Sequence, residues 1–223
     1  IGRGEIVTLI GPSGCGKSTV LNLIAGFDTP DKGTIFFDKE PVTAPSAKRG
    51  VVFQSPVLFP WLTVKQNIAY GLKLRKSDRS LIDEKCKEFI NLVGLDGFEH
   101  YYPHQLSGGM QQRVSLARVL IMEPKMLLMD EPFASLDAQT RISMQQLLLS
   151  ISTQLNPSIL FITHDVEEAL LLSERIYVMS QLPGRIRHEI SIAFSLPRDI
   201  SLFSDPGFTG LKRKILQLLF KSE

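Results

Sequence analysis

The chain has 223 residues, of which 43% are hydrophobic, so it is long enough to bury the core of one domain or of a compact domain with a subdomain. Its net charge of +2 and the lack of a long basic run give no indication of nucleic-acid binding. No apolar run reaches the roughly 18 residues of a membrane-spanning helix, and no segment has the pattern of a signal peptide.

Strand and helix patterns alternate along the chain. Short apolar runs bounded by turn residues predict strands at 5–10, 33–37, 50–54, 126–130, 159–163, 175–179 and 184–192. Helical spacing predicts helices at 17–25, 63–75, 80–93, from about 108, 138–154, 166–172 and 210–220. This alternation indicates a layered α/β fold with a mostly parallel sheet.

A glycine-rich segment, Gly11-Pro12-Ser13-Gly14-Cys15-Gly16-Lys17-Ser18-Thr19, lies between the first strand and the first helix. That context is typical of a phosphate-binding loop, whose backbone amides and helix dipole attract a β-phosphate. We expect Lys17 to contact the β- and γ-phosphates, Ser18 to bind Mg²⁺ and Thr19 to reach the α-phosphate. The alternative is a glycine-rich turn without a ligand.

A second glycine-serine element, Leu106-Ser107-Gly108-Gly109-Met110-Gln111-Gln112-Arg113, precedes a helical pattern. Ser107 is predicted to cap a helix that begins around Gly108. Gly108 and Gly109 leave the first amides of that helix bare, which favours an anion there. An ordinary capped amphipathic helix is the alternative interpretation.

Polar residues follow two of the predicted strands. Asp130 and Glu131 come at the carboxyl end of a buried strand, where Asp130 can hold Mg²⁺ through water and Glu131 can act as general base. A surface helix-capping pair is the alternative. Gln54 ends a strand between the two nucleotide motifs, so we expect it to contact Mg²⁺ and the attacking water, although alone it would be a turn residue.

These motifs resemble those of the ATP-binding-cassette (ABC) ATPases, and the resemblance covers essentially the whole chain. It implies ATP and Mg²⁺ as cofactors, ATP hydrolysis coupled to transport, and a RecA-like P-loop core with a mostly parallel sheet and a helical subdomain. The expected core is 1–60 and 107–185, the helical subdomain 61–106, and the C-terminal segment 186–223. In this family the second element is the signature motif, which contacts the γ-phosphate of ATP held by a second copy.

The resemblance assigns roles to further residues. Thr163-His164-Asp165 resembles the family's switch histidine, which contacts the γ-phosphate, although a histidine there more often caps a helix or fills a loop. Asp137 stands at the D-loop position, and Ser135 replaces the usual alanine before it. Each ATP site is thus expected to combine two copies. One copy would supply Lys17, Ser18, Gln54, Asp130, Glu131 and His164, and the other Ser107–Gly109.

Additional segments resemble importers of the nitrate, sulfonate, taurine and bicarbonate group. They are 50–54, 58–64, 67–68, 102–105, 183–186 and Leu196-Pro197-Arg198, where Asp199 breaks the usual Pro-Arg repeat. Since the chain ends soon after residue 210, we expect it to lack the added regulatory barrel of sugar-type importers. The resemblance therefore implies the ATPase subunit of a bacterial importer for a small anion or sulfonate-type solute, on the cytoplasmic face of the plasma membrane.

The implied partners are a second ATPase subunit, identical or paralogous, the permease subunits and, indirectly, a periplasmic or lipoprotein solute-binding protein, with no nucleic acid. The segment Phe59-Pro60-Trp61-Leu62 is expected to meet the permease, unless Trp61 is core. Three rivals fit less well. DNA-maintenance ABC ATPases need a long coiled-coil insertion between Gln54 and Ser107, translation-associated ones have two cassettes, and exporters match Pro60-Trp61 and Pro183-Gly184 poorly.

Two further expectations concern the cysteines and the chain start. Cys15 and Cys86 show neither metal-ligand nor disulfide spacing, which favours a reducing, cytosolic location. Cys15, near a helix N-terminus, is either a reactive thiol or a tolerated small residue. The chain begins with Ile1 close to a strand, so we expect the natural N-terminus and the family's adenine-stacking aromatic residue to lie upstream.

Overall fold

A computed structural model describes residues 1–195 and 198–220. Leu196 and Pro197 of the late Pro-Arg element lie outside the described residues. Arg198 of that element is buried and donates hydrogen bonds to the carbonyl oxygens of Phe194, Leu170 and Ser173. In the described ranges, no helix combines the length and apolar character needed to cross a bilayer.

The described residues form eight strands and seven α-helices. The strands are β1 (Ile6–Ile10), β2 (Phe36–Phe37), β3 (Glu40–Pro41), β4 (Arg49–Val52), β5 (Met126–Asp130), β6 (Ser158–Thr163), β7 (Arg175–Met179) and β8 (Ile186–Ser191). The helices are α1 (Lys17–Ala25), α2 (Val64–Leu74), α3 (Arg79–Leu92), α4 (Gly108–Leu120), α5 (Ala138–Leu155), α6 (Val166–Leu172) and α7 (Pro206–Phe220).

Six strands form one sheet in the order β4-β5-β6-β1-β7-β8, in which only the β7–β8 pair is antiparallel. The central strands are buried apolar runs, as expected for parallel strands covered on both faces. β2 and β3 form a separate antiparallel hairpin. The prediction of a mostly parallel α/β sheet is confirmed.

Most predicted elements agree with the structure within a few residues, and three differ more clearly. The strand predicted at 33–37 is reduced to Phe36–Phe37, which pairs with Glu40–Pro41, although the Val42 amide still donates to the Ile35 carbonyl at 2.8 Å. β8 begins at Ile186 rather than Gly184, because residues 180–185 form a turn closed by the Ser180 amide on the Arg185 carbonyl at 2.9 Å. α7 begins at Pro206, four residues early, where the Asp205 side chain accepts from the Phe208 amide.

Three apolar clusters hold the layers together. The largest joins α2, α3 and α4 to β4, β5 and α5, so the helices after residue 61 share a continuous core with the sheet. A second packs α1 on one face of the sheet, and a third packs α6 and α7 around β7 and β8. By packing the helices on both faces of the sheet, the clusters leave the ends of its strands at the surface.

Candidate functional site

Three of the predicted motifs meet at one edge of the sheet. β5, β6 and β1 are parallel neighbours, and their registers place Asp130 beside Ile162 and Thr163 beside Ile10. The residues that follow these strands therefore emerge at the same carboxyl edge, which is where ligands bind in open α/β sheets.

The phosphate loop wraps from β1 into α1. Gly14 and Gly16 have left-handed backbones, with φ of 77° and 101°, and nothing lies within 4 Å of where their Cβ atoms would be. The Lys17 ammonium is buried and donates hydrogen bonds to the Gly11 and Pro12 carbonyls, both at 2.9 Å. The loop therefore holds one fixed positive charge beside backbone amides, an arrangement suited to phosphate oxygens.

Cys15 contributes to packing beneath this loop. Its side chain is 2% exposed, and its Sγ lies 3.9 Å from the Lys17 Nζ. A Cβ on Gly184 would approach the Cys15 carbonyl oxygen to 2.0 Å, so only glycine lets the β7–β8 turn pack against the loop. Because reactive thiols are partly exposed, this burial favours the packing interpretation of Cys15.

Glu131 and His164 form a direct contact across the ends of β5 and β6. His164 Nδ1 lies 3.0 Å from Glu131 Oε2, and the Glu131 amide donates to the Ile162 carbonyl at 2.9 Å. Glu131 has a φ of 45°, a left-handed backbone that costs a side-chain-bearing residue about 1–3 kcal/mol. This backbone and the histidine together fix where the carboxylate lies.

The predicted magnesium ligands lie on three elements. Ser18 is exposed in the first turn of α1, Asp130 ends β5 half-buried, and Gln54 is exposed just beyond β4. No group of three or more His, Cys, Asp or Glu side chains able to hold a metal occurs among the described residues. Hydroxyl, amide and carboxylate oxygens are nevertheless the donors that Mg²⁺ takes, often together with water and substrate phosphates.

The signature element begins a helix as predicted. The Ser107 hydroxyl accepts a hydrogen bond from the Met110 amide at 3.3 Å, and Ser107 and Gly108 are exposed. The buried Gln112 donates to the carbonyl of Phe53 at 3.3 Å, a contact that the sequence did not predict. The signature helix is thereby bonded to the residue before Gln54.

Asp137 caps α5. Its carboxylate accepts hydrogen bonds from the Thr140 amide at 3.0 Å and the Thr140 hydroxyl at 2.7 Å. These bonds hold the pKa of the Asp137 carboxyl below its ordinary value. Asp137 and Ser107 are both exposed at helix starts, whereas no hydrogen bond joins Ser107 or Gly109 to the phosphate loop within the described parts of this chain.

Comparison with known proteins places these motifs in one family. A family model described as ABC transporter matches residues 1–134. A taurine import ATP-binding protein of Pelagibacter ubique is 46% identical over 99% of this chain and 85% of its own length. An aliphatic sulfonates import ATP-binding protein of Bacillus thuringiensis is 48% identical over 96% and 83%. A nitrate import ATP-binding protein of Synechocystis is 51% identical over 89% and 74%.

Solved structures agree in fold. A Clostridium perfringens protein, part of the ABC transporter complex cbiONQ, has a TM-score of 0.80 and 29% identity, covering 99% of this chain and 86% of that one. A dimeric ATP-binding cassette in a post-hydrolysis state, bound to ADP and Pi, has a TM-score of 0.75 and 31% identity, covering 87% and 88%. The predicted ABC ATPase fold is thus confirmed. The chain belongs to the ABC transporter family, as an ATP-binding subunit that hydrolyses ATP.

Proposed function

We propose that this subunit powers a bacterial importer for a small anion or a sulfonate-type solute. The observation that carries the proposal is its 46–51% identity to import ATP-binding proteins for taurine, aliphatic sulfonates and nitrate. In this proposal the subunit binds permease subunits at the cytoplasmic face of the membrane, and a solute-binding protein delivers the solute from the other side.

The experiment is reconstitution of the subunit with the permease and solute-binding protein encoded beside it. Taurine, an aliphatic sulfonate, nitrate and bicarbonate are tested separately for uptake and for stimulation of ATP hydrolysis. We expect one of them to be imported and to stimulate hydrolysis. Outward transport, or no response to any of the four, would contradict the proposed class.

We further propose that the ATP site is shared between two copies. One copy would supply the phosphate loop (11–19) and the side chains of Gln54, Asp130, Glu131 and His164, and the other Ser107–Gly109 and Asp137. The support is geometric: the first set contains the loop, the Glu131–His164 contact and two strand ends, whereas Ser107 and Asp137 are exposed helix caps not bonded to that loop. Similarity to a dimeric cassette supports the same arrangement.

Within that site Glu131 would accept the proton of the attacking water, and His164 would orient Glu131 through the 3.0 Å contact. General-base catalysis of this kind contributes about 10²–10⁴-fold in rate. Ser18, Gln54 and Asp130 would hold Mg²⁺, which when bound neutralises charge on the phosphate oxygens. Lys17 would exchange its bonds to loop carbonyls for bonds to phosphate oxygens.

We also propose the division into a core of 1–60 and 107–185, a helical subdomain of 61–106 and a C-terminal segment of 186–223. The placement of α2 and α3 between β4 and the signature helix supports it. The Gln112–Phe53 hydrogen bond lies at the junction of the first two parts.

Replacing Ser107 by Arg should abolish ATP-driven pairing. The bulky arginine side chain would occupy the helix start where, in this proposal, the nucleotide of the partner binds. The fold should persist, since Ser107 is exposed. Gel filtration with ATP in a Glu131→Gln background measures the pairing, and Ser77→Arg, in the polar break between α2 and α3, is the control. If Ser107→Arg subunits still form the ATP-dependent dimer, the shared site is wrong.

The Trp61 side chain is available for a permease contact. It is 70% exposed, so the alternative that Trp61 is core is wrong. The buried Asn67 holds the backbone of this segment in place. Its side chain accepts a hydrogen bond from the Phe59 amide at 2.9 Å and donates one to the Phe59 carbonyl at 3.1 Å. The Phe59 ring lies 5.7 Å from that of Trp61. A rigidly held, exposed aromatic is typical of an interface anchor.

We therefore expect Trp61→Ala to weaken permease binding by about 2 kcal/mol or more, the range of an interface hot spot. Basal hydrolysis should stay within about threefold and the melting temperature should change little, because the residue is exposed. Pull-down of the permease, hydrolysis and thermal melting are compared with Phe36→Ala, which removes another exposed aromatic, 65% accessible. Unchanged permease capture would remove Trp61 from the interface.

A further inference from the structure

Thr140, in the first turn of α5, has a bonding arrangement that uses both ends of its side chain. Its hydroxyl donates to Asp137 Oδ2 at 2.7 Å, while its backbone amide donates to Asp137 Oδ1 at 3.0 Å. A capping carboxylate needs only the amide bond, so the hydroxyl adds a second restraint on Asp137.

The other end of Thr140 lies against the signature motif. A Cβ on Gly109 would come within 2.3 Å of Thr140 Cγ2, far inside van der Waals contact. Gly109 is buried and helical, with no left-handed backbone angle, so its lack of a side chain serves close approach rather than conformation. The methyl group of Thr140 therefore fills the space that Gly109 leaves.

A second contact joins the same two helices one turn further along. The Arg113 guanidinium, on α4, donates to the Ser143 hydroxyl, on α5, at 2.8 Å. The starts of α4 and α5 are thus packed through Gly109 and Thr140 and bonded through Arg113 and Ser143. Both helix starts carry an exposed capping side chain, Ser107 on one and Asp137 on the other.

We propose that Thr140 is a positioning residue that fixes the signature motif and Asp137 of one subunit relative to each other. The inference rests on the proposed shared site, in which both groups must reach the partner's nucleotide at once. In this proposal Thr140 acts through Asp137 and Gly109 and does not itself touch the nucleotide or the partner. Its hydroxyl sets the Asp137 carboxylate and its methyl sets the Gly109 backbone, so the two groups meet the partner as one unit.

The test uses two near-isosteric variants in a Glu131→Gln background. Thr140→Val keeps a methyl beside Gly109 and removes the bond to Asp137, whereas Thr140→Ser keeps the bond and removes the methyl. Thr153→Val is the matched control, since Thr153 lies on the same helix and its hydroxyl donates to the Leu149 carbonyl at 3.0 Å. Sedimentation velocity with ATP gives the dimer dissociation constant, and calorimetry with ADP gives nucleotide binding by the single subunit.

We expect Thr140→Val to raise the dimer dissociation constant about tenfold, because the Asp137 carboxylate of each subunit, no longer held by the hydroxyl, must be ordered when the pair forms. Thr140→Ser should raise it less, and Thr153→Val should not change it. ADP affinity should be unchanged in all three, because the phosphate loop is untouched. The melting temperature of Thr140→Val should match that of Thr153→Val.

Each other outcome decides against the inference in a distinct way. If Thr140→Val pairs as tightly as its parent, the inference is wrong while the shared site stands. If its melting temperature falls well below that of Thr153→Val, Thr140 acts only as part of the helix cap, and the inference is wrong. If the Glu131→Gln parent does not pair with ATP, the proposed shared site fails and the inference fails with it.

Discussion

Replacing Glu131 by Gln should lower ATP turnover by about 10²-fold or more, the range of general-base catalysis. Mg-ATP affinity should stay within several-fold of wild type. The amide has the shape of the carboxylate and can still contact His164 Nδ1, which lies 3.0 Å away. It cannot take a proton from water, so the loss should appear in the chemical step alone.

Single-turnover hydrolysis with excess enzyme separates that step from binding and product release. The matched control is Glu123→Gln, which neutralises a carboxylate that lies before the start of β5 and forms an ion pair with Lys85. The control should hydrolyse ATP at the wild-type rate. Near-wild-type single-turnover hydrolysis by Glu131→Gln would remove Glu131 from the role of general base.

Replacing Lys17 by Ala should abolish tight ATP binding, because Lys17 is the one full positive charge of the 11–19 loop. Truncating one partner of a desolvated charge pair costs about 2–5 kcal/mol, a factor of at least about 30 in affinity. Calorimetry with Mg-ATP measures the loss. Micromolar affinity retained by the variant would mean that the nucleotide binds elsewhere.

Lys17 also has a structural role that the measurement must separate. Its ammonium bonds the Gly11 and Pro12 carbonyls, so truncation leaves two acceptors of the loop without that donor, at a cost of about 1–3 kcal/mol each if they remain buried. Lys17→Met keeps the apolar stem of the side chain and loses the ammonium, with both its charge and its hydrogen bonds to the two carbonyls. Equal loss of ATP affinity in both variants, with folded protein by circular dichroism, assigns the effect to the ammonium.

The motif residues could be predicted because each combines a local pattern with a position at a strand end. Asp130 follows a buried apolar run, and Lys17 follows a strand and opens a helix, so neighbouring residues alone indicate the phosphate side of a parallel sheet. The helix cap at Ser107 could likewise be predicted from the residues around it. Such local patterns can be recognised without any knowledge of tertiary packing.

What the sequence did not predict depends on contacts between distant segments. Gln112 and Phe53 are 59 positions apart, and Gly184 approaches Cys15 from the far end of the chain. The fit of Thr140 against Gly109 depends on how α5 packs on α4. No periodicity or spacing in the sequence indicates these contacts, because they depend on how the sheet and all its helices pack together. The glycines were visible in sequence, but their neighbours were not.

Mixing two inactive variants tests whether each ATP site takes its phosphate loop from one copy and its signature motif from the other. Lys17→Ala lacks the phosphate-loop charge, and Ser107→Arg lacks a working signature motif. In a mixed pair, the loop of the Ser107→Arg copy faces the intact signature of the Lys17→Ala copy, which restores one complete site.

Hydrolysis is measured for each variant alone and for an equal mixture. We expect the mixture to regain activity, up to about a quarter of wild type, because half of random pairs are mixed and each mixed pair has one intact site of two. If each site were built within a single chain, every chain in the mixture would still carry a defective site. A mixture as inactive as its separate components would therefore show that the ATP site is not shared between two copies.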